Sequence, residues 1–213
     1  MGSRSDWLSC PAVMDFPRNH WYVAAFSSEI GRQIVRRQLL GDFVAMYRTE
    51  DGTPVALNDQ CPHRGLPLSK GVLEGDSIRC GYHGMTFGKT GACVRIPSQA
   101  TIPAKMGVRS YALVEKSIWI WIWMGAPELA DPALIPDHDA LGLERAGYTV
   151  TEFFRMDIPG NFQLLHENLL DVSHITYLHP GALDDGSVAG AKSSLNFAGN
   201  HITISRETEE VAN

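Results

Sequence analysis

At 213 residues the chain suffices for one large domain or one and a half ordinary ones, and 44% hydrophobic content excludes a largely disordered protein. A net charge of −6 without basic runs speaks against nucleic acid as a partner. No uncharged apolar stretch approaches the roughly 20 residues that span a bilayer, so no membrane partner is expected. Residues 1–16 read as a loose leader. They lack the apolar run of a signal peptide, and Asp6 does not fit myristoylation.

Strands are expected at His20–Ala25, Phe43–Arg48 and Pro54–Leu57, separated by turn residues such as Asp51-Gly52. Two loops rich in polar ligands follow. Cys61-Pro62-His63-Arg64-Gly65 and Cys80-Gly81-Tyr82-His83-Gly84 leave sixteen residues between His63 and Cys80. In an extended loop Cys61 and His63 point the same way, and Pro62 disfavours a helical Cys61. Glycines at 65, 71, 81, 84, 88 and 91 permit tight loops that aim N–H groups at the sulfurs. Two thiolates with two imidazoles are the ligand set of a Rieske [2Fe–2S] centre, where two His replace two Cys on one iron. The alternative is a Cys₂His₂ zinc site, although zinc sites usually pair Cys with Cys and His with His in sequence. Each pair here mixes the two.

Of the other two cysteines, Cys10 is in the leader and Cys93 in a loop, so no disulfide framework is indicated. Thiolate ligands favour a reducing cytosol. Val108–Val114 and Ile118–Met124 read as another strand pair. Alternating Ile and Trp in the second make both faces apolar, hence buried, with the Trp residues as core. Residues 127–147 have a linker's Pro, Gly, Ala and Asp, and Tyr148–Met156 is expected to open a further sheet.

A helix is predicted over 161–178, capped by Asn161, stopped by Pro180-Gly181, and striped by Phe162, Leu165, Leu169 and Val172. Asn168, Asp171 and His174 share a face at three-residue spacing. His179 lies roughly 140° from His174 on an ideal helix, and joins that face only if the helix unwinds before Pro180. Two His plus a carboxylate form the facial triad of non-haem Fe(II) oxygenases. The alternative is a plain helix with polar residues facing water. His201–Ser205 reads as a strand. His20, His138, His166 and His201 have no partner at ligand spacing and read as surface or satisfied structural residues.

The two ligand loops, with Ile118-Trp119-Ile120-Trp121, resemble the Rieske domain of ring-hydroxylating and O-demethylating oxygenases. Respiratory-complex Rieske proteins carry an additional Cys in each ligand loop, and these form a disulfide. Leu66 and the residues after His83 offer no such pair, which favours the soluble oxygenase or ferredoxin branch. The Asp-x₂-His-x₄-His run resembles the mononuclear-iron motif of the same family. The resemblance implies an α+β protein: an all-β Rieske domain over 17–126, the linker 127–147, and at 148–213 the first part of a helix-grip-like catalytic domain.

It also implies a [2Fe–2S] cluster on Cys61, His63, Cys80 and His83, and Fe(II) on His174 and His179. Asp171 would be no ligand but the link from a ligand His to a cluster-bound His of the neighbouring subunit. Asp171 and Asn168 are the candidate catalytic residues. The family's third iron ligand is a later Asp, so the chain is expected to be truncated. Asp184, Asp185, Glu207, Glu209 and Glu210 read as solvated charges. The implied activity is that of a cytoplasmic, homotrimeric terminal oxygenase using O2 and NAD(P)H-derived electrons from a reductase or ferredoxin. The resemblance is strongest to vanillate- and dicamba-type enzymes, which O-demethylate methoxylated aromatic acids. Ring or side-chain hydroxylation, and a bare Rieske electron carrier, stay open.

Charge divides unevenly. Residues 1–125 carry +4 and residues 126–213 carry −10. The basic half would dock acidic partners through Arg64, Lys70, Arg79 and Lys89.

Overall fold

The structure is a computed structural model that describes residues 16–151, 155–179, 186–199 and 201–208. They form two compact units that divide just before Arg155. The first contains β1 (Trp21–Phe26), β2 (Val35–Leu39), β3 (Asp42–Arg48), β4 (Pro54–Asn58), β5 (Val72–Glu74), β6 (Ser77–Arg79), β7 (Thr86–Phe87), β8 (Cys93–Arg95), β9 (Leu113–Lys116) and β10 (Trp119–Trp123). These make three antiparallel sheets, ordered β1-β10-β9, β2-β3-β4 and β5-β6-β7-β8.

The two-residue period of the strands distributes their side chains among three cores. On β3, Val44 and Met46 face one core while Ala45 and Tyr47 face another, and all four are fully buried. Sheet β2-β3-β4 is therefore a middle layer. One face meets Ile120 and Ile122 of β10. The other meets Leu68, Ile78 and Phe87, beneath the two Cys/His loops. Each fully buried Leu, Ile or Phe contributes about 1.5–3 kcal/mol relative to exposure. Arg48 of β3 grips the Glu115 carboxylate of β9 with two hydrogen bonds, at 2.6 and 2.9 Å, tying the sheets together. That contact holds the Glu115 carboxyl below its ordinary pKa.

The expected strands near 20–25, 43–48, 54–57 and 118–124 are present, with ends moved by one or two residues. The expected strand at 108–114 is confined to Leu113–Lys116, because residues 107 and 110 make only isolated bridges, to Ala92 and Leu57. Tyr148–Met156 forms no strand in its described part; residues 152–154 lie outside the described residues.

In the second unit, α1 (Phe162–Leu170) is followed by a 3-10 turn (Val172–His174), α2 (Ile175–Leu178), α3 (Ser187–Gly190), β11 (Lys192–Ala198) and β12 (His201–Glu207). The continuous helix over 161–178 is not observed. It breaks at Asp171, whose backbone is extended (φ −98°, ψ 91°) and whose carboxylate caps the next turn through Ser173 N–H. Asp at a cap competes with the helix for backbone bonds. The β11–β12 hairpin pairs Leu195 with Ile204 and Phe197 with Ile202 on one face, Ser194 with Ser205 and Asn196 with Thr203 on the other. No described residue of this unit is buried, so the stripe on α1 covers nothing within it.

Residues 126–143 do not hang free. They strap the outer face of β1-β10-β9, where Trp21 and Trp123 donate indole N–H groups to the carbonyls of Asp131 and Ala126. Ile135 packs among the tryptophans. His138 departs from the surface or satisfied structural role expected of it. It is 0% exposed against Trp119 and Trp121, and neither ring nitrogen has a hydrogen-bond partner. Burial first, then nearby Lys116, lowers its pKa, outweighing Glu144 and Asp137. The unfolded chain therefore binds this proton more readily. The contribution to stability is fully present above about pH 6.5 and is lost as pH falls below it. Urea unfolding followed by Trp fluorescence should show a midpoint that drops between pH 7.5 and 5.5, and His138→Phe should flatten that drop.

Candidate metal centre

Cys61 lies three residues past β4, and Cys80 directly follows β6. The first loop is not extended as the alternation argument required; residues 62–64 form a tight turn. Both loops repeat one backbone pattern. The Cys61 N–H donates to Leu66 O (2.9 Å) and Gly65 N–H returns to Cys61 O (2.9 Å); Cys80 N–H donates to Met85 O (2.8 Å) and Gly84 N–H to Cys80 O (3.1 Å). Closing these turns requires positive φ at the fourth residue after each Cys, +73° at Gly65 and +70° at Gly84, a region open to glycine.

The loops then meet back to back. A Cβ on Gly71 would stand 2.3 Å from Arg79 O, and one on Gly81 would stand 3.0 Å from Lys70 O. This contact sorts the ligands by chemistry. The sulfurs of Cys61 and Cys80 lie in hydrogen-bond contact, and the rings of His63 and His83 are 4.5 Å apart. Sequence pairs each Cys with a His; space pairs Cys with Cys and His with His. Together with Leu66 and Met85 they line one tight pocket.

That arrangement fits a cluster carrying two thiolates on one iron and two imidazoles on the other. A zinc ion needs its ligands around one point, and no three His, Cys, Asp or Glu side chains among the described residues are so grouped. The Cys61 thiol pKa is raised: burial and the neighbouring Cys80 push it up, and hydrogen bonds from the His63 and Arg64 N–H groups offset this only in part. The site is polarised: both Cys are buried and both His exposed. Tyr82, 62% exposed, lies against His83 with ring centroids 4.0 Å apart. Neither this stacking nor the buried Asp59 two residues before Cys61 was legible in the spacing, although both flank ligands.

In the second unit His174 and His179 face each other, rings 5.8 Å apart. His179 has left the helical region (φ −128°, ψ 47°). His174 Nδ1 lies 2.6 Å from the Asp171 carbonyl oxygen. A carbonyl only accepts, so Nδ1 carries the proton and Nε2 offers its lone pair. The backbone of Asp171, not its carboxylate, thus sets this tautomer. The carboxylate accepts from Ser173 N–H (3.0 Å) and Ser173 Oγ–H (2.5 Å) and lies 4.0 Å from Arg206, all through Oδ1. The Ser173 bonds, then Arg206 and His174, lower its pKa. Asn168 is exposed on α1. No third ligand joins the two imidazoles among the described residues. Glu207 ends β12 opposite Lys192; Asp184, Asp185, Glu209 and Glu210 lie outside the described residues. Two imidazoles of the kind a facial triad uses are therefore neighbours, with no third ligand beside them among the described residues.

Residues 20–112 match the Rieske [2Fe-2S] domain, and residues 158–212 match the vanillate O-demethylase oxygenase C-terminal domain. Fold and ligand set thus define an iron–sulfur domain joined to the start of a non-haem iron domain. The chain belongs to the Rieske non-haem iron oxygenase family. It is 42% identical over 182 residues to a toluene-4-sulfonate monooxygenase system iron-sulfur subunit of Comamonas testosteroni, covering 83% of this chain and 50% of the relative. Identity is 42% over 167 residues to the dicamba O-demethylase oxygenase component of Stenotrophomonas maltophilia, covering 78% and 48%. The vanillate O-demethylase oxygenase subunit of a Pseudomonas species is 34% identical over 196 residues, covering 92% and 54%. The crystal structure of dicamba monooxygenase bound to dicamba superposes with a TM-score of 0.74 at 35% identity, covering 90% of this chain and 58% of that one. The chain spans about half the length of the curated relatives it matches.

Cys80→Ser should abolish cluster incorporation, read as loss of visible absorption and of acid-labile sulfide. Tyr82→Ala, which touches His83 but supplies no ligand, should retain both.

Proposed function

We propose that this chain carries the electron-entry domain and the first part of the iron site of an aromatic monooxygenase's terminal oxygenase component. One observation carries the reading: the fold sorts four ligands into a Cys pair and a His pair, and the same chain holds a second His pair at 174 and 179. In this reading residues 17–126 are the cluster domain, 127–147 the linker and 148–213 the catalytic segment. When bound, the cluster supplies one-electron transfer at roughly −150 to +300 mV, and Fe(II) supplies oxygen activation.

The chain's residues prepare both ends of that transfer. His63 and His83 present the exposed edge where an electron enters or leaves, with Tyr82 beside them. Asp171 holds the His174 ring through its carbonyl and keeps its carboxylate ionised through Ser173. That geometry supports Asp171 as a relay; Asn168, on the preceding helix, is the other candidate catalytic residue. The substrate class is a methoxylated aromatic acid, supported by similarity to dicamba and vanillate O-demethylase components. Ring or side-chain hydroxylation of an aromatic compound is the second reading, because identity to the toluene-4-sulfonate monooxygenase relative is just as high. The compartment is the reducing cytoplasm and the assembly a homotrimer.

Iron analysis of anaerobically purified protein should give three irons per chain and, after dithionite, an EPR signal of low average g. His174→Ala should give two irons with that signal intact. Two irons in the wild type would leave either a bare electron-transfer module or an iron site that this stretch of chain does not complete. Formaldehyde release from methoxylated aromatic acids supports O-demethylation; hydroxylated product without formaldehyde supports the second reading.

The donor is a reductase or ferredoxin with an acidic face. Residues 60–73 and 79–114, which contain both ligand loops, hold seven Lys or Arg and no Asp or Glu. Arg64, Lys70 and Lys89 are exposed, whereas Arg79 is paired with Glu74 at 2.6 Å. Arg64→Gln with Lys70→Gln should slow reduction by the donor several-fold at low salt, and the difference should vanish at high salt, where screening removes steering.

A further inference from the structure

The first unit holds one buried carboxylate among its described residues, and the cluster chemistry above does not use it. Asp59 is 3% exposed, and its side chain is fully enclosed. Its Oδ1 accepts from Ser69 N–H (2.6 Å), and its Oδ2 from Ser69 Oγ–H (2.7 Å) and Arg36 Nε (2.9 Å). Its own N–H donates to Phe43 O (2.8 Å), and the Arg36 guanidinium stacks 3.8 Å above the Phe43 ring. The carboxylate is thus fixed to β2 and β3 on one side and to Ser69 on the other.

The segment it closes contains Cys61 and His63. Its far end, Lys70-Gly71, is the backbone on which Gly81 of the second loop rests. Asp59 therefore fixes the first ligand loop and, through residues 69–71, the seat of the second. It also carries charge. Asp59 stands two residues before Cys61, and a carboxylate enclosed by protein acts on its surroundings more strongly than one in water. The second loop has no counterpart: the residue two before Cys80 is Ile78, fully buried.

We infer that Asp59 is a positioning residue for the cluster, holding both ligand loops in register while its ion pair with Arg36 sets the cluster's reduction potential. The inference rests on the cluster assignment made above. Asp59 supplies the negative half of a local pair and Arg36, more exposed, the positive half. Removing either leaves the other uncompensated.

The test is the midpoint potential of the iron–sulfur signal, measured by EPR-monitored redox titration of the purified protein. Asp59→Asn keeps the shape but removes the negative charge, so the potential should rise. Arg36→Gln can still donate to Asp59 but removes the positive charge, so the potential should fall. Asp42→Asn breaks an ion pair with Arg18 on the same sheet without touching either loop, and should leave the potential where it was. Opposite shifts support the inference, because a purely structural role would not change sign with charge. Shifts of one sign, or none, overturn it. Should Asp59→Asn load no cluster, the positioning half is supported and Arg36→Gln decides the electrostatic half. A wild type without the Rieske signal would instead sink the cluster assignment itself.

Discussion

Two loops that each carry one thiol and one imidazole must meet so that like joins like. The contact that enforces this is backbone against backbone, with Gly71 beneath the Arg79 carbonyl and Gly81 against that of Lys70. Side chains at these positions would hold the loops apart by the radius of a methyl group, and the Cys pair and His pair would lose register together. The remainder of the first unit supports this approach. The middle sheet supplies a floor through Tyr47 and Leu57, and Ile78 and Phe87 close it from the other side.

The same contact explains the electrical polarity of the site. Thiols next to a close-packed core are buried, and imidazoles at the turn tips are exposed. In the proposed transfer an incoming electron would meet the His edge first, where the two long stretches that carry the loops hold no carboxylates. Asp59 is buried, whereas its partner Arg36 is exposed. Steering charges act in solvent and are screened by salt; an enclosed carboxylate is screened far less.

The second unit is built on a different logic. Its helix is interrupted at a residue that does three jobs. Asp171 ends α1, caps the following turn with its carboxylate, and holds the His174 ring with its carbonyl. An unbroken helix would spend that carbonyl on a backbone N–H four residues later, and the imidazole tautomer would be left unset. The apolar faces of α1 and the hairpin remain exposed within the unit, at 63% for Leu169 and 69% for Phe197.

Much of this was legible in the chain itself. Ligand identity follows from residue types that bind iron and from loops punctuated by glycine, both local properties. The strand at Trp119–Trp123 was also local, since alternating Ile and Trp admits two buried faces. Three things were not local. Which ligand joins which depends on an approach between segments whose glycines look interchangeable in sequence. His138 sits amid Asp and Pro, the composition of a solvated linker, yet tertiary packing places it between two tryptophans. The break at Asp171 arises because a side-chain cap outcompetes a helix that the apolar period favours. Sequence by itself determined what chemistry the chain can hold; only the tertiary structure decided how the ligands pair and which edge meets solvent, because these depend on contacts between residues far apart in the chain.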